Sequence, residues 1–195
     1  MRVQALGAGL CLAFAQALTL AVWSAVCSIA WADVYQTPED FVRQAQADPA
    51  SAQSLWLTGE IKQRIRAILG RDYPSLRLKY WRNGGQGANP SIGQATSQTI
   101  WVLEDIGKDE YITLGFVVQD GKIASSRVLI FRESRGWEIK FPSFAQQFVG
   151  AGLTDKLQLD RPLDGITGAT LSVNAYERMA RLALVLDQAA HEQDK

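Results

Sequence analysis

YITLGFVVQDGKIASSRVLIF, residues Tyr111 to Phe131, is the stretch that decides the fold. Two runs rich in β-branched and aromatic residues, Tyr111 to Val118 and Ile123 to Phe131, flank Asp120-Gly121, a pair suited to a two-residue hairpin turn. Upstream, Ile100 to Leu103 predicts a third strand, and Leu76-Arg77-Leu78-Lys79-Tyr80 alternates apolar and charged side chains as a half-buried strand does. The strands follow one another without intervening helices, so they predict an antiparallel meander.

Helical signals lie on either side. Thr37-Pro38-Glu39-Asp40 starts a helix, with Thr37 capping and Pro38 in the first turn, and Asp48-Pro49 ends it. A second helix opens at Thr58 and closes at Gly70, with Leu57, Ile61, Ile65 and Ile68 on one face. At the other end Ala175, Met179, Leu182, Leu186 and Ala189 repeat at spacings of four and three, one stripe of a long helix whose start reads as Asn174 with Glu177. The expected class is α+β: an antiparallel meander flanked by N-terminal and C-terminal helices, a single domain after a signal peptide.

That signal peptide is residues 1–32. Arg2 is the only charge there; an apolar run from Ala5 to Ile29 follows, and Ala30-Trp31-Ala32 gives a cleavage site before Asp33. The run is also long enough to span a bilayer if uncleaved, so the segment is either removed or kept as an anchor. In both cases the rest of the chain faces outward, which places it in the periplasm or an equivalent extracytoplasmic space.

Composition removes several chemistries. Lys plus Arg equals Asp plus Glu at 20 each, so no net field draws the chain to nucleic acid. Lys62, Arg64, Arg66 and Arg71 interleave with the isoleucines of the second helix as a solvated face. Both cysteines, Cys11 and Cys27, fall in the N-terminal segment, leaving the processed chain without a disulfide, a haem-attachment motif or a thiol nucleophile. A single histidine, His191, near the C-terminus, offers no metal site or Ser-His-Asp triad. The glycine-rich loop from Asn83 to Ser97 lacks both a Walker lysine and a dinucleotide fingerprint.

Chemistry is concentrated just before the last helix, in Asp164-Gly165-Ile166-Thr167-Gly168-Ala169-Thr170. Glycines and hydroxyl residues at a helix entrance serve capping, and free amides there welcome an anion. This segment resembles the flavinylation motif of the FMN-binding domain in the C subunit of sodium-translocating NADH:quinone reductase and the G subunit of Rnf complexes. The motif is Asp, two variable residues, Ser or Thr, Gly, Ala, then Thr or Ser, and Asp164, Thr167, Gly168, Ala169 and Thr170 match it in full. Five such positions coincide by chance with a probability on the order of 10⁻⁴ to 10⁻³. Glu133-Ser134-Arg135-Gly136 matches a Glu-[Ser/Thr]-x-Gly segment that lies close to the flavin in the same family.

The resemblance covers roughly Ile100 to Leu186 and implies an FMN-binding domain over residues 76–190, after an N-terminal helical region at 33–75 and before a tail at 191–195. It implies that a separate flavin transferase, using FAD as donor, joins the FMN phosphate to Thr170 as a phosphoester. Gly168 and Ala169 would keep the backbone accessible, Thr167 would hydrogen-bond locally, and Asp164 would either orient the threonine or metal during transfer or stabilise the turn. Among Trp137, Phe141, Phe144 and Phe148, one or more would lie against the isoalloxazine or belong to the core, and Arg132 or Arg135 would approach the reduced flavin. The protein so described is an electron carrier that exchanges electrons with membrane-bound or periplasmic redox partners. Its rivals are a redox-sensing or regulatory module of a membrane system and a stand-alone flavin reductase. N-terminal sequencing of the exported product is expected to read from Asp33; Met1 or Arg2 on a membrane-bound product would instead establish the anchor.

Overall fold

A computed structural model of the chain describes residues 32–83 and 98–193, and residues 32–195 form one unit. The N-terminal segment with Cys11 and Cys27, and the loop at 84–97, lie outside the described residues.

Six antiparallel strands form one sheet: β1 (Asp33–Val34), β2 (Gln53–Trp56), β3 (Arg77–Asn83), β4 (Gln98–Ile106), β5 (Tyr111–Gln119) and β6 (Lys122–Phe131). Their spatial order is β1-β6-β5-β4-β3-β2. The expected meander is its centre. β4 and β5 pair without interruption from Gln98 opposite Gln119 to Ile106 opposite Tyr111. Asp120 and Gly121 both take positive φ, 52° and 70°, as the tight turn into β6 requires. The N-terminal region is more than helical. It also supplies β1, paired with β6, and β2, paired with β3, and so adds to both edges of the meander. Both strands are too short to show an alternation in the sequence.

Helix α1 (Pro38–Gln44) begins at Thr37, whose hydroxyl accepts the Asp40 amide at 3.1 Å, and α2 (Gly59–Leu69) closes on Gly70. The short α3 (Pro142–Gln146) follows a 3₁₀ turn at Trp137–Lys140. Helix α4 runs for 24 residues, Thr170–Gln193. It therefore starts a full turn before the cap expected at Asn174. The Val173 amide bonds back to the Ala169 carbonyl at 2.9 Å, and Ala169 has no side-chain oxygen to mark it as a cap. Asn174 is an exposed second-turn residue, and Glu177 pairs with Arg181 at 3.8 Å.

The sheet is buried on both faces, which is why seven consecutive residues of β5, Ile112 to Val118, are inaccessible. On one face Trp101, Leu114 and Phe116 meet the α4 stripe, Tyr176, Met179 and Leu186 among it, with α2 alongside through Ile61 and Ile65. On the other, Phe41 and Val42 of α1 cover Ile100, Val117 and Leu129. Gly115 sits beneath Phe41: a Cβ there would lie 2.5 Å from the ring, so the absent side chain lets α1 seat on the strand.

Two polar devices fix α4 to the sheet. Asp105, buried at the end of β4, accepts from Arg71 and from Arg178 of α4, each at 2.7 Å. Further along, the Thr99 hydroxyl donates to Asp187 of α4 at 2.5 Å and accepts from the Trp101 indole N–H at 2.9 Å. Burial raises the Asp187 carboxyl above its ordinary value. His191 places Nδ1 2.8 Å from the Asp187 carbonyl, near the C-terminal end of α4. Asp105→Ala strands two arginines beside a lost carboxylate and is expected to lower unfolding free energy by about 2–4 kcal/mol in urea titration. Asp72→Ala, which removes the exposed pair with Arg66, should cost less than about 1 kcal/mol.

Candidate flavin site

The motif enters α4 through a turn. The Ala169 amide donates to the Ile166 carbonyl at 3.0 Å, and Gly168 between them adopts φ +86°, a conformation that residues with a Cβ resist. Thr170 is exposed at the first helical position. With the first helical bond running from Val173, the amides of Thr170, Leu171 and Ser172 remain the free donors of a helix start. Ala169 is 2% exposed and part of the core, so its small side chain answers a packing demand as well as an access demand. Thr167 is exposed, and its hydroxyl makes no hydrogen bond among the described residues, unlike the local bond expected of it. Asp164 is exposed too; its backbone amide, not its carboxylate, is held, by Gln147 Oε1 at 2.7 Å.

The second motif meets the first. Gly136 (φ +81°) lies against α4, where a Cβ would collide with Ser172 Oγ and stand 3.6 Å from Ala169 Cα. Glu133 is turned elsewhere: its Oε1 accepts from the amides of Lys108, Asp109 (2.8 Å) and Glu110 (3.0 Å), closing the β4–β5 turn. It is a scaffold residue. Ser134 and Arg135 are exposed, while Arg132 donates to the Tyr111 carbonyl and to Thr113 Oγ1 at 3.2 and 3.0 Å and is thereby held on the sheet. The four aromatic candidates divide. Phe144 and Phe148 are buried against Tyr176, whereas Trp137 and Phe141 are 43% and 45% exposed and meet edge to face at 5.5 Å.

Thr170 opens onto a cleft of about 630 Å³ walled by Leu159, Arg161, Leu163, Ile166, Val173 and Asn174. Arg161 anchors that wall by donating to the Val149 and Gly150 carbonyls at 3.0 and 2.7 Å. Beside it the Gly152 amide, with Arg161 adding to it, holds the Asp160 carboxyl below its ordinary value. A second cleft of about 400 Å³, which shares Ile166 with the first, is lined by Glu138, Phe141, Ser143, Phe144 and Gln147. Glu138 Oε2 is itself buried, with no hydrogen-bond partner among the described residues. The loop at 150–163 and Glu138 escaped sequence reasoning because neither carries a period; the one available signal was the position of Glu138 two residues after Gly136.

These features define an α+β domain that presents an exposed alcohol at a helix start beside a cleft. Residues 107–185 match the family model of the FMN-binding domain, and that match supports an FMN-binding flavoprotein. The match begins at the turn closed by Glu133 and ends within α4. No curated protein and no solved structure matches the chain. The site suits the cofactor: a helix start with three free amides accepts a phosphate, and the adjoining cleft is of a size that holds a small ligand. Gly136→Ala is expected to cost about 1–3 kcal/mol in thermal or urea unfolding, from left-handed strain and the Ser172 contact. Adding Ser172→Ala should recover part of that loss by relieving the contact.

Proposed function

We propose that this protein is an exported electron-transfer flavoprotein that carries FMN as a phosphoester on Thr170. The observation that carries the reading is the Thr170 hydroxyl itself, exposed at the first residue of α4 in a full motif match. Attachment is a group transfer. The Thr170 Oγ–H loses its proton, Oγ forms a bond to the flavin-side phosphorus of FAD, the pyrophosphate bond breaks, and AMP leaves with the electron pair; a flavin transferase supplies the catalysis. The chain's own contribution is placement. Gly168 turns the backbone so that Thr170 faces outward, and the free amides of the first turn, with the helix dipole, offset the phosphate charge. Arg161 in the adjoining wall adds positive charge to the same region.

Once bound, FMN supplies reversible one- or two-electron chemistry, and a covalent tether suits an extracytoplasmic site from which a lost cofactor is not readily recovered. Trp137 and Phe141 are exposed rings of the segment that follows Gly136, and membrane-bound or periplasmic redox partners would approach the flavin from outside the domain. Coexpressed with an exported flavin transferase, the wild type should stay yellow after denaturation and gain the mass of FMN less one water. Thr170→Ala should lose this adduct while losing only about 1 kcal/mol of stability. Thr167→Ala should lower the yield of flavinylation without moving the adduct elsewhere. An FMN-bearing peptide from Thr170→Ala, or an adduct mapped to Ser172, would refute the assignment.

A further inference from the structure

We propose that the outer edge of β6 between Ala124 and Val128 is a docking site for an extended, carboxylate-bearing segment of a partner protein, which adds to the sheet there as a further strand. That edge is covered only at its two ends. Beyond Phe131 and Ile130, which pair with β1, the amides of Tyr35 and Gln36 donate to the Leu129 carbonyl at 2.9 and 3.2 Å, and Thr37-Pro38 then turns the chain away into α1. At the other end the Ile123 amide donates to the Ala151 carbonyl at 2.9 Å, and the Ile123 carbonyl accepts the Gly150 amide at 2.7 Å. From Ala124 to Val128 no backbone partner lies on that side among the described residues, and β5 takes up only the groups that face inward. Alternate residues of a strand direct N–H and C=O outward, so the gap leaves about 16 Å of strand with donors and acceptors to offer.

The gap opens into a cleft of about 630 Å³. Every residue from Ala124 to Val128 lines it, although their side chains alternate between the two faces of the sheet, so the cleft runs along the edge of the strand and not over one face. Phe141, Pro142 and Val149 give it an apolar wall. Its charge has one sign: Arg127 and Lys140 line the cleft and no carboxylate does. Arg127 donates only to the neutral Gln36 and Gln44, at 3.2 and 3.5 Å, and the Lys140 ammonium lies 4.8 and 4.9 Å from the ring centres of Tyr35 and Trp137, with no ion pair among the described residues. Two cations alone would blunt a free edge against chance pairing, but the apolar wall beside them gives a visiting strand something to bury. Backbone hydrogen bonds supply the affinity in this mode, and the cations select a segment with carboxylates between apolar residues. The added strand runs antiparallel to β6, in line with β1 and with Gly152, which flank the gap in that sense.

The test uses the whole protein labelled with nitrogen-15, and three capped octapeptides as probes. One alternates valine with glutamate, one alternates valine with lysine, and the third is the valine–glutamate peptide N-methylated at every residue, which keeps its charge but has no backbone donors. The valine–glutamate peptide should shift the amides of Ala124 to Val128, Tyr35 and Lys140 to saturation and slow hydrogen exchange along that edge. The lysine and N-methylated peptides should each bind at least about tenfold more weakly. Arg127→Glu combined with Lys140→Glu should weaken the valine–glutamate peptide by a similar factor, with the rest of the amide spectrum showing that the variant is folded; the peptide comparison needs only wild type and stands without it. No saturable shift at millimolar peptide, or shifts away from β6, would overturn the site. Equal binding of the N-methylated peptide would overturn strand addition in favour of a plain anion site, and equal binding of the lysine peptide would overturn the selection for carboxylates. A dimer of the peptide-free protein in sedimentation, with these amides protected, would give the edge to a second copy and overturn the partner.

Discussion

The burial of Tyr176 is the contact on which the rest depends. Its ring stacks on Phe148 at 4.5 Å and meets Phe116 and Phe144 edge to face at 5.8 and 5.4 Å, while its hydroxyl donates to Ser126 at 2.9 Å. One side chain of α4 thereby touches β5, β6 and α3. Burial also pushes the phenol's ionisation upward, so the hydroxyl stays a neutral donor. Tyr176 lies within two turns of Thr170, and a rigid helix passes its own position on to the residue at its start. The seating of α4 on the sheet, and with it the position of Thr170, rests on the aromatic packing beneath it.

Around that anchor the motif residues take different tasks. Glu133, Gly136 and Ala169 are structural: the first ties the β4–β5 turn, and the other two let the 133–136 segment and the start of α4 approach closely. Thr170, Thr167 and Asp164 face solvent. A short sequence pattern thus mixes residues that build the site with residues that present it, and only the second group is open to chemistry. Arg132 belongs with the first, because its guanidinium is occupied by the sheet.

The matched segment, residues 107–185, is less than the folded unit. It begins after β4, yet β5 needs β4 beside it and α1 beneath it, since residues Ile112 to Val118 are buried on both faces. The N-terminal strands and helices supply that cover and pair at both sheet edges. They are therefore part of the same hydrophobic assembly as the flavin segment, although they carry none of its motif.

Much of this was legible in the residues alone. The hairpin at Asp120-Gly121, the caps at Thr37 and Gly70 and the apolar stripe of α4 are local patterns, and local backbone preference with hydrophobic period determined them. The Asp164 to Thr170 motif was equally visible because its residues are consecutive. Beyond sequence reach were β1 and β2, held only by their partners, and the start of α4, which depends on a buried alanine with no capping oxygen. The separation of Phe144 and Phe148 from Trp137 and Phe141, the diversion of Glu133 and Arg132 to the scaffold, and the unpartnered oxygen of Glu138 were also decided in three dimensions. Each depends on which distant segment covers a side chain or satisfies its polar atoms, and burial of that kind is a property of packing between segments, with no period along the chain to announce it.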